Sequence, residues 1–237
     1  MAHFRMAAHP PNAPARLHAL IPAAGTGSRA GTAQPKQYEP LAGRALVLHT
    51  LEALGGVSRL ASILVVVSSG DSLMPRGAGW QVAACGGDTR AASVGNGLAE
   101  LQARGAGEDD WVLVHDAARC LVTPAQVDRL IDECLADEVG GLLAVPLADT
   151  LKAAQDGRAT QTLPREGKWL AQTPQMFRLG VLRRALAQAG AGVTDEASAI
   201  EALGLRPRLV AGSAQNFKVT WPEDFALAQA VLESRKR

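Results

Sequence analysis

Short apolar runs without polar alternation recur along the chain at residues 17–23, 62–67, 80–85, 111–115 and 141–146, each bounded by glycine, proline or polar residues. A run of this kind belongs to a strand covered on both faces, which is the condition of strands in a parallel sheet. Between the runs, residues 45–54, 90–102 and 124–136 carry helical spacing of their apolar positions. Strand and helix therefore alternate through the first two thirds of the chain, predicting an α/β fold, Rossmann-like, with helices on both sides of a mostly parallel twisted sheet. Thr123-Pro124-Ala125-Gln126 predicts a helix start, with threonine as N-cap, proline at the first helical position and glutamine closing a capping box. Thr220-Trp221-Pro222-Glu223 repeats that logic before a C-terminal helix.

Residues 147–172 break the alternation. Asp149-Thr150, Asp156-Gly157, Arg158 and Leu163-Pro164-Arg165-Glu166-Gly167 are polar and turn-rich, which predicts a protruding β-hairpin or arm. Such an arm exposes Leu147, Leu151, Leu163 and Trp169 unless a second copy of the chain covers them, so a homodimer is expected. With 237 residues the chain suits one large domain, taken as 16–237, behind a proline-containing N-terminal extension, 1–15, expected to be disordered.

Lys plus Arg (24) and Asp plus Glu (23) nearly cancel, and the basic run Ser234-Arg235-Lys236-Arg237 lies at the very end, so no nucleic-acid footprint is expected. The three cysteines, Cys85, Cys120 and Cys134, lack C-x-x-C spacing, which favours reduced thiols in the cytoplasm over a disulfide framework or a zinc site. No run approaches the roughly 20 apolar residues of a membrane span.

The most chemically specific stretch is Pro22-Ala23-Ala24-Gly25-Thr26-Gly27-Ser28-Arg29 followed by Pro35-Lys36-Gln37. Gly25 and Gly27 let backbone N–H groups converge on an anion, while Arg29 adds a forked charge and Lys36 a point charge. No acidic residue precedes Glu39, so a polyphosphate is the natural occupant. A lone G-x-G is also a common tight turn, and this one lacks the third glycine of a dinucleotide fingerprint and the Gly-Lys-Ser/Thr of a P-loop. Two further strand ends carry polar groups: Gly86-Gly87-Asp88-Thr89-Arg90 with Ser93, and His115-Asp116-Ala117-Ala118-Arg119. In an open α/β sheet, ligands bind beyond such ends. Asp116 suits ribose hydroxyls or, as a weak candidate, a magnesium ion; pairing with Arg119 is the simpler structural alternative.

Read together and in order, the Pro22–Arg29 and Pro35–Tyr38 motifs, Gly86-Gly-Asp88, Val114-His-Asp-Ala-Ala-Arg119, Asp149-Thr150, Thr173-Pro-Gln175, Thr194-Asp-Glu-Ala-Ser198 and Lys218-Val-Thr220 resemble the 2-C-methyl-D-erythritol 4-phosphate cytidylyltransferase family. The resemblance runs from about Leu17 to the C-terminal helix. It implies a nucleotidyltransferase fold and transfer of CMP from CTP to methylerythritol phosphate with release of pyrophosphate, in the non-mevalonate isoprenoid pathway. By matching positions it implies Arg29 and Lys36 as transition-state stabilisers. Arg165 and Lys218 become the pair that positions the sugar phosphate, Arg165 reaching across from the partner's arm. It implies Ala23, Ala24, Gly87, Asp88 and Ser93 around the cytosine, Asp116 on the ribose side, and Thr150, Thr173 and Thr194 near the methylerythritol phosphate. Magnesium is implied through the CTP phosphates. Gly25, Gly27 and Arg119 complete the expected site.

Three alternatives bear on individual residues. Thr194 also reads as an N-cap with Asp195 and Glu196 in the first turn, and Lys218 as a surface lysine on a short strand, although its polar interruption of an apolar run favours the functional role. Cys120 stands where the family usually has proline, which loosens the expected hold on Asp116 and Arg119. As whole-chain alternatives, a ribitol-5-phosphate cytidylyltransferase shares the loop and both cations. A sugar-1-phosphate nucleotidyltransferase fits the Gly86 and Asp116 spacing less well, and a CTP-binding regulatory dimer has no need of all four cations.

Overall fold

The computed structural model describes residues 14–25, 31, 34–189 and 193–235. Gly27 and Arg29, most of the N-terminal extension, and Lys236 and Arg237 of the basic end lie outside the described residues.

The strands are β1 (Leu17–Pro22), β2 (Pro40–Leu41), β3 (Arg44–Ala45), β4 (Leu60–Val66), β5 (Gln81–Ala83), β6 (Trp111–Val114), β7 (Gly140–Pro146), β8 (Leu151–Gln155), β9 (Arg158–Leu163), β10 (Trp169–Arg178) and β11 (Arg208–Ala211). The helices are α1 (Leu46–Gly55), α2 (Arg90–Ala103), α3 (Pro124–Leu135), α4 (Leu179–Gln188), α5 (Glu196–Ala202) and α6 (Pro222–Ser234). Seven strands form one sheet in the order β11-β7-β10-β6-β1-β4-β5. Its pairings are parallel except at β10, which runs antiparallel to both β6 and β7.

Pleating explains the unbroken apolar runs. Leu17, Ala19 and Ile21 of β1 join Val47, Leu51, Leu54, Val127, Leu130 and Ile131 on one face of the sheet. Leu20, Leu64 and Val66 turn to the other face, against Val94, Leu98, Leu182 and Ile200. The run at 80–85 yields only the three-residue edge strand β5.

The α3 start is the predicted one: Thr123 Oγ1 accepts from the Gln126 N–H at 3.3 Å and Gln126 Oε1 accepts from the Thr123 N–H at 3.1 Å. At α6 the threonine logic fails. Asp224 instead accepts the N–H groups of Thr220 and Trp221 at 2.7 and 2.8 Å, because its longer reach serves two donors while the Thr220 hydroxyl donates to the Lys218 carbonyl. Thr194 is likewise not the cap of α5; Asp195 is, accepting from the Ser198 N–H at 2.9 Å.

Within 147–172, β8 and β9 form a separate two-stranded sheet. Asp156 (φ 49°) and Gly157 (φ 73°) occupy its turn, the positive-φ pair that a two-residue hairpin demands. Leu147, Leu151 and Leu163 are half-buried, so the exposed apolar surface falls on Trp169 (40% exposed) and Leu170 (53%) at the start of β10. All three cysteines are free thiols; Cys120 is buried beside Leu41, Leu46, Leu121 and Val219, a packed setting that holds its loop without proline's fixed φ.

Candidate active site

The segments following β1, β5 and β6 open on the same edge of the sheet. Backbone bonds lock them together: Ala23 N–H donates to the Val66 carbonyl at 2.7 Å, Gly86 N–H to Val67 at 2.8 Å and His115 N–H to Leu20 at 2.9 Å. Gly86 permits this closeness, since a Cβ there would stand 2.3 Å from the Ala24 methyl and 2.9 Å from the Val67 oxygen. Between the segments lies a cavity of about 490 Å³. Of the expected residues, Ala23, Ala24, Gly25, Lys36, Gly87, Asp88, Ser93, Asp116 and Lys218 line it.

Ser93 and Gly87 are bonded reciprocally, the Gly87 N–H to Ser93 Oγ at 3.1 Å and the hydroxyl back to the Gly87 carbonyl at 3.3 Å, so the small-residue wall is held by its own helix. That helix begins at Thr89, whose Oγ1 accepts from the Ala92 N–H at 3.0 Å.

Asp116 is the electrostatic centre. Arg90 Nε donates to Oδ1 at 2.9 Å, Lys218 Nζ approaches Oδ2 at 2.8 Å, and Arg119 Nε stands 3.9 Å from Oδ2. Burial alone would raise this carboxyl, but Arg90, Lys218 and Arg119 override it and hold it well below the usual carboxylate range. Pairing with Arg119 is thus the weakest of the three contacts. Arg119 instead spans the floor, donating to the carbonyls of Asn216 at 2.8 Å and Ala171 at 3.2 Å. Lys218 sits on no strand; it lies in the irregular segment between β11 and α6, clamped by the Val219 N–H on the Ala118 carbonyl at 2.9 Å.

Sequence reasoning passed over Arg90 and Glu196 as site residues. Arg90 forms a fork with the fully enclosed Glu196, at 2.6 and 3.0 Å, while its Nε holds Asp116. Burial raises the Glu196 carboxyl and Arg90 opposes that rise. The only available signal was that both residues fall inside quoted motifs, 106 positions apart.

The remaining expected residues are dispersed. Thr173 is buried behind Asp116: its Oγ1 accepts the Asp116 N–H at 3.0 Å and lies 3.0 Å from His115 Nδ1. Thr194 lines a neighbouring cavity with Thr89, Arg90, Asp195 and Glu196. Thr150 and Arg165 are exposed on the arm, where the Arg165 guanidinium donates to the Ala148 carbonyl. No group of three or more His, Cys, Asp or Glu side chains is poised for a metal among the described residues. As a metal ligand, Asp116 would have to give up the cations that already occupy both its oxygens.

The profile of the IspD family, 2-C-methyl-D-erythritol 4-phosphate cytidylyltransferase, matches residues 17–234. The bifunctional enzyme IspD/IspF of Albidiferax ferrireducens is 62% identical over 93% of this chain, which spans 54% of that longer relative. The 2-C-methyl-D-erythritol 4-phosphate cytidylyltransferase of Ralstonia nicotianae is 56% identical over 92% of both chains. Among solved structures, a 4-diphosphocytidyl-2C-methyl-D-erythritol synthase superposes with TM-score 0.84 at 41% identity, covering 93% of this chain and 100% of the other. The 2-C-methyl-D-erythritol 4-phosphate cytidylyltransferase of Thermus thermophilus does so with TM-score 0.78 at 35% identity, covering 92% and 99%. Fold, strand-end motifs and relatives agree, and this chain belongs to the 2-C-methyl-D-erythritol 4-phosphate cytidylyltransferase family.

Proposed function

We propose that the chain transfers CMP from CTP to 2-C-methyl-D-erythritol 4-phosphate, forming 4-diphosphocytidyl-2-C-methyl-D-erythritol and pyrophosphate, a step of non-mevalonate isoprenoid synthesis in the cytoplasm. A phosphate oxygen of the acceptor attacks the α-phosphorus of CTP. The new P–O bond forms as the bond to the bridging α–β oxygen breaks, and pyrophosphate carries away the electron pair. The nucleophile is already an anion, so the protein's task is to bring two repelling anions into line and stabilise charge at the α-phosphate.

The observation that carries this reading is the cavity in which Lys36 and Lys218 meet Asp116 and a wall of small residues. Ala23, Ala24, Gly87, Asp88 and Ser93 form a pocket scaled to a pyrimidine, and Asp116 takes the ribose side. Lys36 serves the nucleotide phosphates together with Arg29. Lys218 serves the acceptor phosphate, its ammonium aimed by Asp116 at 2.8 Å. Thr173 supports Asp116 from below, and Thr150 and Thr194 border the acceptor. Arg165 does not line the cavity of its own chain, and Trp169 and Leu170, a few residues on, are exposed. A homodimer in which the arm delivers Arg165 to the partner's cavity accounts for both. Magnesium would be held mainly through the CTP phosphates, whose charge it would neutralise, because Arg90 and Lys218 already occupy the two oxygens of Asp116.

The test is pyrophosphate release from CTP with methylerythritol phosphate and, in parallel, ribitol 5-phosphate. Release with the first alone is expected. Release with ribitol phosphate alone would reassign the acceptor, and none with either would leave a CTP-binding dimer.

A further inference from the structure

Three consecutive buried side chains leave the 3-10 turn Lys36–Tyr38 in three directions, as three residues per turn require. Lys36 Nζ donates to the Val219 carbonyl at 2.6 Å, and the Tyr38 hydroxyl donates to Asp71 Oδ2 at 2.6 Å. Gln37, between them, donates from its carboxamide nitrogen to the carbonyls of Ala23 at 2.9 Å and Gly25 at 3.1 Å. It is 6% exposed and borders the nucleotide cavity.

A carboxamide nitrogen has two hydrogens, and here each meets one carbonyl of the glycine loop. Carbonyl and following N–H point oppositely across a trans peptide, so drawing the Ala23 oxygen onto Gln37 turns the Ala24 N–H away from it. The same contact occupies two oxygens whose partial negative charge would otherwise oppose a polyphosphate. On the far side, the Asp71 carboxylate that holds Tyr38 also accepts the N–H groups of Leu73 and Met74 at 3.0 and 2.9 Å, which anchors the turn itself.

We propose that Gln37 is the positioning residue of the nucleotide loop, fixing Ala23–Gly25 so that the Ala24 amide, and not the Ala23 and Gly25 carbonyls, meets the nucleotide. The inference rests on the cytidylyltransferase reading.

Its test is calorimetric titration of the full-length protein with CTP, alongside KM for both substrates and thermal melting. Gln37→Met keeps the length but removes both donors, and is expected to weaken CTP at least tenfold while KM for the acceptor moves less than twofold and the melting temperature falls by only a few degrees. Gln37→Glu, which sets two acceptors against two carbonyls, is expected to weaken CTP at least a hundredfold. Gln37→Asn, one methylene short, covers the case of a methionine variant that does not fold and is expected to behave like it. Binding of CTP within twofold of wild type by the folded variants overturns the proposal. So does a parallel rise in both constants with a larger fall in melting temperature, which marks packing alone. Wild-type protein that binds no CTP overturns the functional reading first.

Discussion

Acidification should loosen the floor of the site through His115, by an amount the geometry sets. The ring is fully enclosed, with Nε2 3.2 Å from the Arg119 carbonyl and Nδ1 3.0 Å from Thr173 Oγ1. A carbonyl only accepts, so Nε2 carries the hydrogen and a bare Nδ1 accepts from the Thr173 hydroxyl; that hydroxyl in turn accepts the Asp116 N–H. Burial, only partly opposed by Asp116, pushes the imidazole down from 6.5 to about 4. Between those values the unfolded chain binds a proton that the folded one refuses, so stability rises with pH across the window. It is fully present above about 6.5 and is lost as pH falls toward 4. At about 1.4 kcal/mol per tenfold change in proton affinity, the loss is about 3 kcal/mol. Other carboxylates titrate nearby, so the assay is a difference: urea unfolding of wild type and His115→Gln at several pH values from 7 to 4. At pH 7 the variant should be less stable by about 1–3 kcal/mol, for the disturbed bonds of Thr173 and Arg119. The gap should then close as pH falls, because only the wild type carries the imidazole. A gap constant with pH to within about 0.5 kcal/mol would refute a neutral buried His115 and the bond directions derived from it.

Two further outcomes follow from the ion pairs and the arm. Arg90→Met strands Glu196 without its cation and should cost about 3–5 kcal/mol, most of it recovered when Glu196→Gln is added; a single-variant cost below about 1 kcal/mol in the same unfolding assay would show the pair to be idle. Mixed and exchanged subunits of Arg165→Ala and Lys218→Ala, each inactive alone, should regain about a quarter of wild-type pyrophosphate release, since half the dimers are hybrids with one intact site of two; no recovery despite verified exchange would place Arg165 in its own chain's chemistry.

The strand runs at 17–23, 62–67 and 111–115, the helices α1, α2 and α3 that follow them and the Thr123 cap were legible because each depends on neighbours in sequence. So was the Asp156-Gly157 turn, where backbone sign dictates residue type. What escaped depends on distant partners. Nothing local marks β10 as the strand that inserts between β6 and β7 against the direction of the rest, since the antiparallel pairing there is decided by how the intervening arm returns the chain. Arg90 opens the first turn of α2, and no local pattern ties it to Glu196, 106 positions away. Lys36 donates to a backbone carbonyl at Val219, a partner that no residue type announces.

The route of β10 has a mechanical consequence. The chain leaves the exposed hairpin at Trp169 and Leu170 and, within a few residues, places Thr173 directly under Asp116. Gln172 grips the other side, accepting from Asn216 Nδ2 at 3.3 Å and donating to the Ser213 carbonyl at 2.8 Å, at the root of the segment that bears Lys218. Between the hairpin and Asp116 the ladder is thin: Trp169–Ala171 pair with β7 alone, the register shifts between Ala171 and Gln175, and pairing on both sides resumes only at Gln175. What ties the root of the arm to the floor of the cavity is therefore a set of side-chain bonds, Thr173 on Asp116 and Gln172 on Ser213 and Asn216, and not an unbroken backbone ladder.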